Sequence, residues 1–344
     1  MRLLMGMLNP PLTKMPFMLK IFGYVSLLAL MACQDVSAVE KSQETSIAKG
    51  VSFSSGLGIT TQSDIVRCEG GRSRPSDIGI ITSEDGKVWN LPADVHFNTA
   101  PKAFDLYDDC RGVTHRSLAD VNIDEVPVYN AGGDEEFRAY VYGDNYFEFF
   151  VNGKVIAVDS VPYTPFNSTM IRFKAKRPFT VGFMGVDWEE NLGIGTESSR
   201  GGQFHAGDAG LVAHIQTATG ETVAMTDESW RAQTFYTAPL ADRSCLRIDG
   251  ALRDSSACPE SGMSSADQIS AAHWDIPGNW SDNSFEETLW PKAVTYTNAE
   301  IRVGRSSSYG NFADVFDGQD NDPQFIWSSN LVLDNVVLMR KTIE

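Results

Sequence analysis

The chain has 344 residues, 42% of them hydrophobic and 21% charged, with 45 acidic against 28 basic side chains and a formal net charge of -17. Apolar content at that level excludes a disordered chain, and the length suits two domains or one large one. So acidic a balance repels phosphate backbones and excludes nucleic acid as a partner, leaving solubility or calcium binding as the use of the carboxylates.

The first element is a targeting segment. Lys14 and Lys20 flank an apolar run over residues 21–32, the length of a signal core and too short to span a bilayer comfortably. The run ends Leu30-Met31-Ala32-Cys33, which resembles a bacterial lipoprotein box with Cys33 as the lipidated residue, and Met18 is a more usual start for such a signal. Cleavage after Ala38, in the small-residue pattern Val36-Ser37-Ala38, is the alternative. Residues 1–32 are thus expected to be a lipoprotein signal peptide and 33–50 a polar tether. Gln34 after the cysteine resembles a signal for sorting to the outer membrane. The expected location is the outer membrane or cell surface, with membrane contact through a lipid anchor only. A secreted or periplasmic protein is the alternative.

Cys68, Cys110, Cys245 and Cys258 form an even set, which in an exported chain reads as two disulfides. Local loop closure favours Cys68–Cys110 and Cys245–Cys258 among the three connectivities. No C-x-x-C spacing speaks for zinc.

Short strand-like runs recur between Gly, Asp, Asn and Pro turns: 77–82, 87–91, 137–141, 170–173, 180–186 and 211–216. Between them, 146–158 (YFEFFVNGKVIAV) reads as a β-hairpin. Phe147, Phe149 and Val151 fall on one side of a period-two strand, Tyr146, Glu148 and Phe150 on the other, and Asn152-Gly153 supplies a two-residue turn. Long amphipathic helices are not expected; 264–272 is the best short one. A Gly-rich stretch at 128–134 marks a candidate boundary, with a small disulfide-tied β-rich segment over 51–130 and the main body over 131–344.

Four stretches, in order, resemble the galactose-binding-domain-like β-sandwich found beside the catalytic domains of bacterial α-L-rhamnosidases and related glycoside hydrolases. The hairpin is similar to that module's Y-E-L-Y-V-N-G-K strand and turn. GETVAMTDESW at 220–230 is similar to D-G-x…T-D-x-S-W, and FEETLWPKA at 285–293 to F-D-D-S-S-W-P-x-A. FIWSSNLVLDNVVLMR at 325–340 resembles the closing strand. Glu286 and Glu287 depart from the family's usual Asp, and a longer carboxylate caps a local turn less well. The resemblance covers about 137–343 and implies an all-β, galactose-binding-like jelly-roll β-sandwich, an accessory or binding fold. No catalytic barrel is expected after it, so the family's catalytic acids have no positions here.

The densest acidic loop is Asp187-Trp188-Glu189-Glu190-Asn191. Asp187, Glu189, Glu190 and Asn191 offer the oxygen ligands calcium takes; the paired Glu residues could instead act as acid and base on a glycosidic bond. A solvated turn with Trp188 in the core is the third reading. Asp317, Asp320 and Asp322 miss the EF-hand spacing and read as a solvated loop. His205 with Asp208, in the Gly-rich loop GGQFHAGDAG, reads as a flexible polar site for a ligand or a metal, whereas His214 reads as a core residue. Sandwiches bind sugars through exposed aromatic rings, for which Trp188, Tyr163, Trp274 and Trp327 are the candidates against a plain core role. Nucleophile-elbow and phosphate-cradle motifs are missing. The expected function is non-catalytic carbohydrate binding with calcium assisting. The alternatives are a glycoside hydrolase or lyase acting through 187–191, and a structural component that binds another protein of a cell-envelope complex.

Overall fold

The computed structural model describes residues 50–68, 74–163, 166–199, 201–317 and 322–344. The expected signal peptide, Cys33, the tether up to residue 49 and Asp320 lie outside the described residues.

Among the described residues the chain is all-β in its main elements, with two large sheets packed as a sandwich. The seven-stranded sheet runs Val51–Ser55, Ser270–Trp274, Arg231–Leu240, Asp334–Ile343, Phe179–Val186, Tyr146–Val151, Lys154–Val158 from edge to edge. The nine-stranded sheet runs Val294–Tyr296, Phe325–Trp327, Gly210–Thr217, Glu135–Asp144, Asn167–Ala175, Phe104–Asp108, Val113–Thr114, with Thr222–Met225 and Val128–Asn130 branching from it.

The hairpin shows how sequence period becomes packing. Phe147, Phe149 and Val151 enter the core between the sheets with Phe173, Phe183 and Trp230. Tyr146 and Phe150 point outward into a second cluster with Trp188 and Tyr236. Asn152 and Gly153 adopt φ of 51° and 82°, and Val151 pairs with Lys154 across the turn. That is the left-handed backbone a twist-matched two-residue turn requires.

Both outer faces carry covers, which is why Tyr146–Val151 is buried along its whole length. A three-stranded sheet, Ile59–Gln62, Ile78–Thr82 and Val88–Leu91, sets Ile81 and Leu91 on the outer face of the seven-stranded sheet. Short helices at Asn298–Ile301, Ser307–Gly310 and Ala313–Phe316 press Ile301, Tyr309 and Phe316 onto Tyr140 and Tyr142 of the nine-stranded sheet. Each such side chain, fully buried, contributes roughly 1.5–3 kcal/mol.

Both disulfides, Cys68–Cys110 and Cys245–Cys258, are formed. Strands from the 51–130 stretch enter both large sheets: Val51–Ser55 pairs with Ser270–Trp274, and Phe104–Asp108 with Asn167–Ala175. The expected helix at 264–272 is instead a single 3-10 turn, Ala266–Gln268, followed by the strand Ser270–Trp274. Its Ala-Ala pair favours helix locally, but neighbouring strands on both sides offer a full ladder and override that preference.

Candidate functional site

Two of the chain's crossings between the sheets lie side by side at one end of the sandwich. Asn145 joins Glu135–Asp144 to Tyr146–Val151, and residues 187–209 join Phe179–Val186 to Gly210–Thr217. Strand register sets the crossings side by side: Gly210 lies opposite Asp144, and Val186 opposite Tyr146. Asp144, Asn145, Asp187 and Asp208 are therefore gathered by backbone pairing. They line a cleft of about 290 Å³ with Arg74, Glu197, His205 and Arg302. It meets a groove of about 550 Å³ that shares His205, Gly207, Asp208 and Arg302.

The polar groups are held in a network. Arg74 donates to Glu197 and, at 2.9 Å, to the Tyr163 hydroxyl, which itself donates to Glu197 Oε2 at 2.7 Å. Arg302 Nη1 stands 3.5 Å from Asp208 Oδ2. His205 Nδ1 is 3.8 Å from Glu197 Oε1 and is buried without a hydrogen-bond partner among the described residues. Asn145 donates to Asp144 Oδ1 at 2.9 Å and accepts from the Trp188 backbone at 2.9 Å. Burial pushes the Asp187 carboxyl up to about 8, assisted by the charges of Asp208 and Glu189. Burial likewise drives Asp144 well above the carboxylate range, with Asp187 and Asp208 adding to it.

The other acids of the 187–191 loop do different work. Glu189 accepts from the backbone N–H groups of Gly193 and Gly195, and from the Tyr236 hydroxyl at 2.9 and 3.1 Å. It is a brace inside its own loop, with both oxygens engaged. Glu190 lies 3.6 Å from Arg74 Nε and accepts from Ser198 N. Asn191 donates to Thr196 Oγ1 and the Gln203 carbonyl. Glu189, Glu190 and Asn191 thus hold separate partners, and among the described residues no three His, Cys, Asp or Glu side chains stand ready around one ion.

The expected stacking aromatics are corrected as well. Trp188 and Trp327 are each 1% exposed, so neither offers a ring face to a sugar. The Trp188 indole donates to the Asp77 carbonyl and meets Tyr146 edge-on; that of Trp327 donates to the Asp334 carbonyl between the sheets. Tyr163 is buried and works through its hydroxyl. Trp274 is buried beneath Arg253, on the wall of a separate hollow of about 190 Å³ shared with Trp89 and His273. His205 and Asp208 do reach the cleft together, as does Asp187.

Sequence reasoning missed Arg74, Asp144, Glu197 and Arg302. Each stands alone in a loop or at a strand end, and only register and loop packing bring them together. Fold and cleft define a class: an all-β, sandwich-like protein with a charged polar cleft at its crossover end. Comparison of the chain with protein-family models, curated proteins and solved structures finds no match.

Proposed function

We propose that this is an exported carbohydrate-binding protein of the galactose-binding-like jelly-roll kind, taking a saccharide in the crossover cleft. One observation carries the reading: acidic groups of Asp144, Asp187, Glu197 and Asp208 and donors on Arg74, His205 and Arg302 line one open hollow together. A polyol presents both a donor and an acceptor at each hydroxyl and can satisfy such a mixed wall. An apolar ligand cannot, because it would desolvate those groups without pairing them. Two disulfides favour an oxidising compartment, in keeping with the expected signal and lipid anchor at Cys33. A glycan array, with and without chelator, tests the reading. At least one glycan should bind, and Asp208→Asn and His205→Ala should each weaken it by at least about tenfold. Silence toward every glycan in both conditions sinks it, and loss of binding in chelator alone assigns calcium a part.

A second reading has its own observation. Asp187 keeps its proton near neutrality beside a Glu197 held by Arg74, the division of labour of an acid and a base on a glycosidic bond. Hydrolysis of a polysaccharide that Asp187→Asn abolishes would favour it; an inert wild type removes it.

A further inference from the structure

The crossover cleft does not end at its own walls. His205, Gly207, Asp208 and Arg302 border both the cleft and the groove of about 550 Å³, so the two form one connected hollow. A Cβ on Gly207 would stand 3.2 Å from Asp187 Oδ2, so the glycine leaves the passage between them clear. Small-ligand pockets run from roughly 300 to 1,000 Å³. The cleft alone, at about 290 Å³, lies at the foot of that range, and the groove is nearly twice as large. A molecule filling the cleft alone would leave the larger part of the hollow to water.

The two parts are built differently. The cleft holds buried polar groups that the protein leaves incomplete. Asp187 is 7% exposed and lines the cleft, and among the described residues nothing donates to its carboxylate. Asp144 is 5% exposed, and Asn145 donates to its Oδ1 only. Buried oxygens of this kind call for a partner, and here the open side faces the hollow. Phe166, partly buried, adds a phenyl ring to the same wall. The groove is walled in addition by residues 260–262, 299–300 and 331–332. Glu260, Ser261 and Ala299 are exposed there, and Leu331 and Val332 partly buried. These walls are braced: Ala209 N donates to the Leu331 carbonyl at 2.9 Å, and Thr297 and Glu300 cap the turn Asn298–Ile301 reciprocally. Arg302 stands at the junction. It ends that turn in the left-handed conformation, at φ 63°, which residues other than glycine rarely adopt, and its Nη1 is 3.5 Å from Asp208.

We propose that the hollow takes an oligosaccharide of several units, one seated in the cleft and the next running past Arg302 and Asp208 along the groove. This rests on the saccharide reading of the cleft and extends it from a single sugar to a glycan chain. Each unit of such a chain repeats the hydroxyls and C–H faces of the last, and both parts of the hollow combine polar with apolar side chains. Hydroxyls of the seated unit would complete Asp144 and Asp187, while the braced groove contributes contact along the chain without having to be ordered first.

Affinity as a function of chain length tests this. A glycan array carries malto-, cello-, manno-, galacto- and galacturono-oligosaccharides, each at one, two, four and six units, and every series that binds is then titrated by calorimetry. Affinity should rise at least about tenfold from one unit to four. Ala299→Trp, which fills the groove outside the cleft, should erase that gain with length. Ser261→Trp, at another wall of the groove, should do the same, so a folding fault in one variant leaves the other to decide. Equal affinity for one unit and four, or a gain that survives both substitutions, overturns the inference of a glycan chain and leaves the single-sugar reading standing. Silence at every length removes both.

Discussion

Glu189 looks from sequence like half of an acidic pair and in the fold is a brace. Its two oxygens collect the N–H groups of Gly193 and Gly195 and the Tyr236 hydroxyl, all buried. Glu189→Gln sets an amide N–H against these donors. It should lower unfolding stability by about 1–3 kcal/mol in urea titrations, and an unchanged midpoint would show the brace to be dispensable. His273 gives the pH prediction. It stacks between Trp89 and Tyr236 at 5.2 and 4.9 Å, and its Nε2 lies 2.8 Å from Ser54 Oγ. Burial holds its imidazole down to about 3. Between about pH 6.5 and pH 3 the unfolded chain takes up a proton that the folded one refuses. Stability from this residue is complete above that window and falls as the pH drops through it, by about 1.4 kcal/mol per pH unit. His273→Gln should flatten the slope between pH 6 and 4.5 by that amount, as urea unfolding at each pH would report. Neither role was legible beforehand, because burial and partners decide what a carboxylate or an imidazole does. Cysteine pairing was legible, since an even set at these spacings closes two local loops.

The hairpin is the element the sequence specifies most sharply. Period-two apolar residues fix its faces, and Asn152-Gly153 supplies the only backbone that a two-residue turn of this twist accepts. A side chain at Gly153, at φ 82°, would also run into the Asp282 carboxylate. Gly153→Ala should therefore cost about 1–3 kcal/mol, read as a lowered urea midpoint; a neutral substitution would mean the turn can relax. The six strand-like runs likewise fall within or across observed strands, because turn residues bound them. The segment 264–272 misled for the opposite reason: its local preference is weak, and Ser270–Trp274 is a strand only because Val51–Ser55 and Arg231–Leu240 flank it. The cleft escaped reading by the same logic. Its residues belong to separate elements, and no local period connects Arg74 to Asp144 or Arg302.

Layering decides what the whole molecule can tolerate. The outer face of the seven-stranded sheet exposes Tyr146, Phe150 and Tyr236 to whatever packs there, and residues 51–130 supply much of that cover. The same stretch adds Val51–Ser55 to one sheet and Phe104–Asp108 to the other. It also delivers Ile81, Leu91, Phe97, Leu106, Val121 and Val126 as buried apolar side chains. At roughly 1.5–3 kcal/mol each, these contribute roughly 9–18 kcal/mol, as much as the entire net stability of an ordinary domain. Removal would leave Glu148 without the His96 N–H groups that accompany its burial. A chain beginning at residue 131 should therefore fail to fold cooperatively: it should lack a sharp thermal transition, bind a hydrophobic dye, and aggregate. A chain of residues 50–344 should melt in one transition. Cooperative melting of 131–344 with intact near-ultraviolet dichroism would show instead that the Gly-rich stretch near residue 130 divides two bodies, and that the first merely decorates the second.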